Sequence, residues 1–162
     1  MHDHVDLLVR QWAEEMPDMD TAGMEIFGRA RRISRKVSEE IVPLLKAYGI
    51  DGGQFYVLTA LRRAGEPYEL RPTEIYQTLM ISSGGLTNRL SRLEAAGLIR
   101  RRASKEDARS MTVQLTAKGR KLVEQAIRED MAREAELLKG LTGEEKKTLA
   151  NLLRKLSLSV GA

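Results

Sequence analysis

The chain has 162 residues, 42% of them hydrophobic and 31% charged, with a net charge of +4 at neutral pH and no cysteine. That balance describes a folded chain rather than a disordered one, and the missing thiols exclude disulfides, cysteine-zinc sites and thiol-based redox sensing. No apolar run approaches the roughly 18 residues of a membrane span, and no basic start leads into an apolar stretch with a small-residue cleavage site, so a single cytoplasmic domain is expected.

In chain order, Val5, Leu8 and Trp12 recur at helical spacing and predict a short helix over 5–15, ending before Met16-Pro17 because the residue preceding a proline disfavours helix. A longer helix starts near Thr21 or Met24. It presents Ile26, Phe27, Ala30, Ile33, Val37, Ile41, Leu44 and Leu45 over about six turns, with Pro43 expected to kink the last one. Asp51-Gly52-Gly53 opens a helix carrying Phe55, Leu58, Thr59 and Leu61, which Ala64-Gly65 closes. Arg71-Pro72-Thr73-Glu74 opens the next, which runs to about Leu79, with proline at the first helical position. Ser82 is the expected N-cap of a helix that Gly97 terminates, and residues 98–102 and 111–115 are short strands around a polar stretch, Ala103 to Ser110. Thr116 then starts a long helix with Leu122, Val123, Ile127, Met131, Leu137 and Leu138, and Thr142 a final one with Leu149, Leu152, Leu153 and Leu156. The order of these elements is mainly α. Between 51 and 115 it is that of a winged helix-turn-helix with a two-stranded β wing.

Charge is concentrated in the same region. From Ser82 to Lys121 there are ten Lys or Arg against three acids, a local +7, so the rest of the chain carries −3. A basic module on a mildly acidic scaffold is what nucleic-acid phosphates attract, although a solvated basic face has the same composition. On the helix after Ser82, Leu86, Leu90 and Leu93 share one stripe, while Gly84, Thr87, Asn88, Ser91 and Arg92 lie opposite. That exposed face is made of poor helix formers, and two glycines alone cost about 2 kcal/mol relative to alanine. Close backbone approach to a phosphate or base edge explains the choice. Ser82, Ser83, Gly84, Thr87, Asn88, Ser91 and Arg92 are therefore the expected major-groove residues. In the wing, Lys105, Asp107 and Arg109 are the candidates, with Arg109 entering the minor groove and Asp107 orienting it.

The wording SSGGLTNRLSRLEAAGLIRRR, then DARS, then VQLTAKGR resembles the MarR family of dimeric transcription regulators from about Met24 to Leu156. Asp107, Arg109 and Ser110 meet that family's wing pattern, and Leu93, Glu94, Gly97 and Leu98 its ending of the recognition helix. The resemblance implies one MarR-type domain over 1–162: a DNA-binding winged helix at about 51–115 and an all-helical dimerisation region at about 5–48 and 116–160. The implied partners are a second copy of the chain and double-stranded DNA with a pseudo-palindromic operator, with repression the expected action. The added N-terminal helix with its tryptophan, followed by PDMD and GMEIFGRA, is similar to the branch that responds to urate and related aromatic anions. The ligand positions that this branch implies fall on Trp12, Tyr56, Arg89 and Arg101. Tyr56 stands where the branch has an aspartate, which points away from urate and toward a phenolic or carboxylate anion.

From the residues alone, Trp12 reads first as a hydrophobic staple for its helix and second as a ligand contact. Arg89, about 60° from the leucine stripe, and Arg101 serve equally as phosphate contacts or surface ion pairs. His2-Asp3-His4 with Asp6 reads as a solvated terminus rather than a metal site. No phosphate loop, nucleophile elbow or HExxH helix is present, and the only histidines are His2 and His4, so neither an enzyme nor a cofactor is expected. A nonspecific architectural nucleic-acid binder and a winged-helix interaction module remain as rival readings.

Overall fold

A computed structural model describes residues 2–79, 85–103 and 111–161. They form two compact units that divide between Ile41 and Val42.

The first unit contains α1 (His4–Glu15) and most of α2 (Ala22–Ala47), which runs across the division. Asp3 caps α1 in a reciprocal box with Asp6, satisfying amides at the helix start that have no partner within it. Both carboxylates also grip Arg29 of α2: its Nε donates to Asp3 Oδ2 at 2.9 Å and its Nη2 to Asp6 Oδ1 at 2.6 Å. Amide donation from Asp6 holds the Asp3 carboxyl below its usual range, and Arg29 adds to the effect. The acids of the N-terminal cluster are thus used to pin α1 on α2. Val5 is buried in the same contact, and a Cβ on Gly28 would stand 3.4 Å from its Cγ1.

The second unit builds its core around α3 (Gly52–Arg63), whose Phe55, Val57, Leu58 and Leu61 are buried. Asp51 and Gln54 close the capping box that starts this helix, and Gly65, at φ 77°, ends the segment. β1 (Glu69–Leu70) follows, then α4 (Pro72–Thr78), with proline at its first turn and Ile75 fully buried. α5 (Leu86–Ala95) adds Leu90 and Leu93 to the core. β2 (Ile99–Ala103) and β3 (Met111–Leu115) pair antiparallel, with Arg101 opposite Val113. The expected two-stranded wing is therefore part of a three-stranded sheet in the order β1-β3-β2. Glu69 and Leu70 supply the third strand, too short for alternation to reveal.

α6 (Ala117–Leu137) and α7 (Gly143–Ser159) complete the chain, each capped by the expected threonine, Thr116 and Thr142. α6 packs on α3, and its Val123 and Ala126 are buried. Its start is wedged against the strand: a Cβ on Gly119 would overlap the Leu98 carbonyl. No residue of α7 is buried, and Leu152, Leu153 and Leu158 are 60%, 51% and 75% exposed. No described helix is long and apolar enough to cross a membrane.

The N-cap expected at Ser82 is corrected. α5 begins at Leu86, and its cap residue is Gly85 at φ 93°. The left-handed residue at this entrance makes no side-chain cap bond, and glycine reaches that region free of the usual Cβ penalty.

Candidate nucleic-acid interface

α5 is held by its two buried leucines, Leu90 and Leu93, with Leu86 half-buried beside them. Its opposite face exposes Thr87, Asn88, Ser91 and Arg92, as the periodicity predicts. The exposed groups are one cation and three short side chains that donate or accept hydrogen bonds, the equipment needed to approach phosphates and base edges. Ser82, Ser83 and Gly84 at the helix entrance, and Lys105, Asp107 and Arg109 of the wing, lie outside the described residues.

The end of α5 is tied to the strand and helix that follow. Thr116 donates its hydroxyl to the Gly97 carbonyl at 2.8 Å, and Lys118 Nζ donates to the Ala96 carbonyl at 2.8 Å. These bonds satisfy carbonyls that a helix end leaves free. Two neighbouring arginines of β2 then go opposite ways, as a strand requires. Arg100 Nε donates to Gln114 Oε1 at 2.8 Å, while Gln114 Nε2 donates to the Pro67 carbonyl at 2.9 Å. Arg101 turns to α5: its amide donates to Glu94 Oε1 at 3.0 Å, and its Nη2 donates to Ser91 Oγ at 2.9 Å. Its Nε also lies 3.2 Å from Glu94 Oε2, at ion-pair distance without hydrogen-bond alignment.

Arg89 is half-buried and lies across the start of α3, where a Cβ on Gly53 would overlap its guanidinium. Its Nη1 is buried without a hydrogen-bond partner among the described residues. A cleft of about 190 Å³ opens beside it, lined by Asp51, Gly85, Asn88, Arg89 and Arg92. Tyr56, 40% exposed, stands one turn along α3 from Gly53, which puts it on the side of that helix where Arg89 crosses. Arg101 is engaged with Glu94 and Ser91, and Trp12 is 40% exposed on α1, within the first unit.

Glu94 makes a contact on this face that helix periodicity passes over. Its partner lies seven positions on, beyond the glycine-terminated end of the helix, so no repeat within one element connects them. Gly53 is similar: only the packed structure shows that its missing side chain makes room for Arg89.

Comparison with known proteins gives consistent matches. A family model described as MarR family matches residues 48–110. The HTH-type transcriptional regulator PecS of Dickeya dadantii is 36% identical over 149 residues, covering 92% of this chain and 90% of its own length. Among solved structures, a MarR mutant from E. coli complexed with operator DNA superimposes with a TM-score of 0.69 at 29% identity, over 90% of this chain and 96% of that one. A structure concerning the regulation of DNA binding of Bordetella bronchiseptica BpsR by 6-hydroxynicotinic acid matches with a TM-score of 0.63 at 25% identity, over 78% of this chain and 91% of that one.

Proposed function

This chain belongs to the MarR family of transcription regulators, and from that premise we propose that it is a homodimeric repressor that reads a pseudo-palindromic operator and lets go when a small aromatic anion binds. The observation that carries the reading is α5: two leucines bury one side, and the other presents Thr87, Asn88, Ser91 and Arg92 next to a strand with three consecutive arginines. Thr87, Asn88 and Arg92 act in the major groove together with Ser82, Ser83 and Gly84. Arg109 enters the adjoining minor groove, oriented by Asp107, and Lys105 adds a phosphate contact. Two such helices about one DNA turn apart account for a palindromic site. Repression follows from occupying the operator, and the protein acts in the cytoplasm, where that DNA is.

For the ligand, Arg89 offers a buried nitrogen without a partner among the described residues and supports an anion near Tyr56, with Arg101 as a further proposed contact. The BpsR structure, in which a hydroxylated aromatic acid bears on DNA binding, supports the same ligand class. A phenol at position 56 in place of a carboxylate disfavours urate and suits phenolic acids. Ligand and DNA then favour different placements of α5, which is sufficient for mutual exclusion.

Selecting duplexes from a random pool, then titrating urate and a set of phenolic acids against operator binding and tryptophan fluorescence, tests both halves. Palindromic sites released by phenolic acids are expected. Unpaired half-sites or no sequence preference would count against the operator reading, and tight urate binding against the Tyr56 argument.

A further inference from the structure

Glu94 is the only acid in residues 85–103, a stretch with five arginines, and its side chain is 42% exposed. An acid on a surface that meets phosphates weakens binding by repulsion, so its presence on this face needs a physical reason. The structure supplies one. Among the described residues β2 is the edge of the sheet, with a neighbour on one side only, and edge amides are left to find other partners. The Arg101 amide donates to Glu94 Oε1 at 3.0 Å, and the guanidinium Nε sits 3.2 Å from Oε2. A second strap runs along the helix face: Arg101 Nη2 donates to Ser91 Oγ at 2.9 Å, and Ser91 Oγ donates in turn to the Thr87 carbonyl at 3.0 Å.

We propose that Glu94 is a positioning residue for DNA recognition: by holding both the amide and the guanidinium of Arg101, it sets the angle between the recognition helix α5 and the strand that leads into the wing. The proposal rests on the DNA-binding reading of α5. Helix and wing are expected to engage different grooves, so their relative placement decides whether both fit one duplex at once. Ser91 belongs to the same device. Its hydroxyl proton is given to Thr87 and one of its lone pairs to Arg101, so it serves the strap before it reads any base.

The consequence separates positioning from electrostatics. If Glu94 acted only through its charge, neutralising it would tighten binding to every duplex. If it positions, neutralising it weakens binding to the selected operator and leaves random duplex unchanged or tighter. The test compares full-length wild type, Glu94→Gln and Glu94→Ala on the wild-type operator and on random duplex of equal length, with melting temperatures measured alongside. Glutamine keeps a carbonyl for the Arg101 amide and loses the ion pair, whereas alanine loses both. Operator affinity is expected to fall in that order, by about tenfold for alanine, the size of one charge-assisted contact. Amide exchange at Arg101 in the DNA-free protein is expected to stay slow in wild type and Glu94→Gln and to become fast in Glu94→Ala. Unchanged or tighter operator binding in both variants, an equal loss on operator and random duplex, or unaltered exchange in Glu94→Ala overturns the proposal while leaving the DNA-binding reading intact. Wild-type protein that binds no duplex overturns the reading itself.

Discussion

Asn88 and Thr87 are exposed on α5 while Leu90 and Leu93 are buried, so truncating them removes polar groups without opening the core. Asn88→Ala and Thr87→Ala are each expected to cost about 1 to 3 kcal/mol in operator binding and to relax base preference, measured by competition against single-base operator variants. Arg109→Ala is expected to lower affinity on all sequences and to flatten the salt dependence by about one unit of slope. Asp130 of α6 makes a different prediction. It is 6% exposed, its Oδ1 lacks a hydrogen-bond partner among the described residues, and burial, helped by Glu134, pushes its pKa above the ordinary 3.8. A raised carboxyl pKa means that folding favours the protonated form, so this contribution to stability is present below the ordinary value and lost as pH rises through the raised one. Asp130→Asn is therefore expected to raise the melting temperature at neutral pH. The gain should vanish in thermal scans below the ordinary carboxylate pKa.

At the scale of elements, the start of α6 is set by Gly119. A side chain there meets the Leu98 carbonyl, which is backbone and cannot swing aside. Gly119→Ala is expected to destabilise the fold by about 2 kcal/mol, read from denaturant midpoints, and to disturb the strand that α5 leans on. The same site shows what a sequence can carry. Helix caps were legible, because Asp51, Thr116 and Thr142 each announce a local bond to an amide two or three residues on. The polar face of α5 was legible too, since helical period alone separates Asn88 from Leu90. Gly119 reads as an unremarkable helix residue until its distant neighbour is known. β1 is invisible to pattern for the same reason: Glu69 and Leu70 are a strand only because β3 lies beside them. Residue type alone puts the entrance to α5 at Ser82, a good cap, while the left-handed backbone at Gly85 leaves no mark beyond a glycine.

For the whole molecule, the unfinished surface is apolar. α7 buries none of its residues, and in the first unit Ile26, Phe27 and Ile33 are 52%, 43% and 62% exposed. Large apolar faces of this kind mark association surfaces. Pairing with a second copy is the cover proposed for them. Leu153→Asp is expected to shift the protein toward monomer in sedimentation experiments and to reduce operator affinity with it, because each half-site then binds alone. A variant that stays dimeric would move the interface away from α7.

The bare leucines of α7 would also link abundance to lifetime. If a second copy is what shields them, mass action makes the shield thinner as the protein is diluted, and the apparent melting temperature falls with concentration. A chain without its partner offers α7, none of whose residues is buried, to proteases. Scarce copies would be cleared faster than plentiful ones, so the number of regulator molecules per cell would respond more than proportionally to their rate of synthesis. Limited proteolysis across a dilution series would show this as cutting in α7 that accelerates below the dimer dissociation constant.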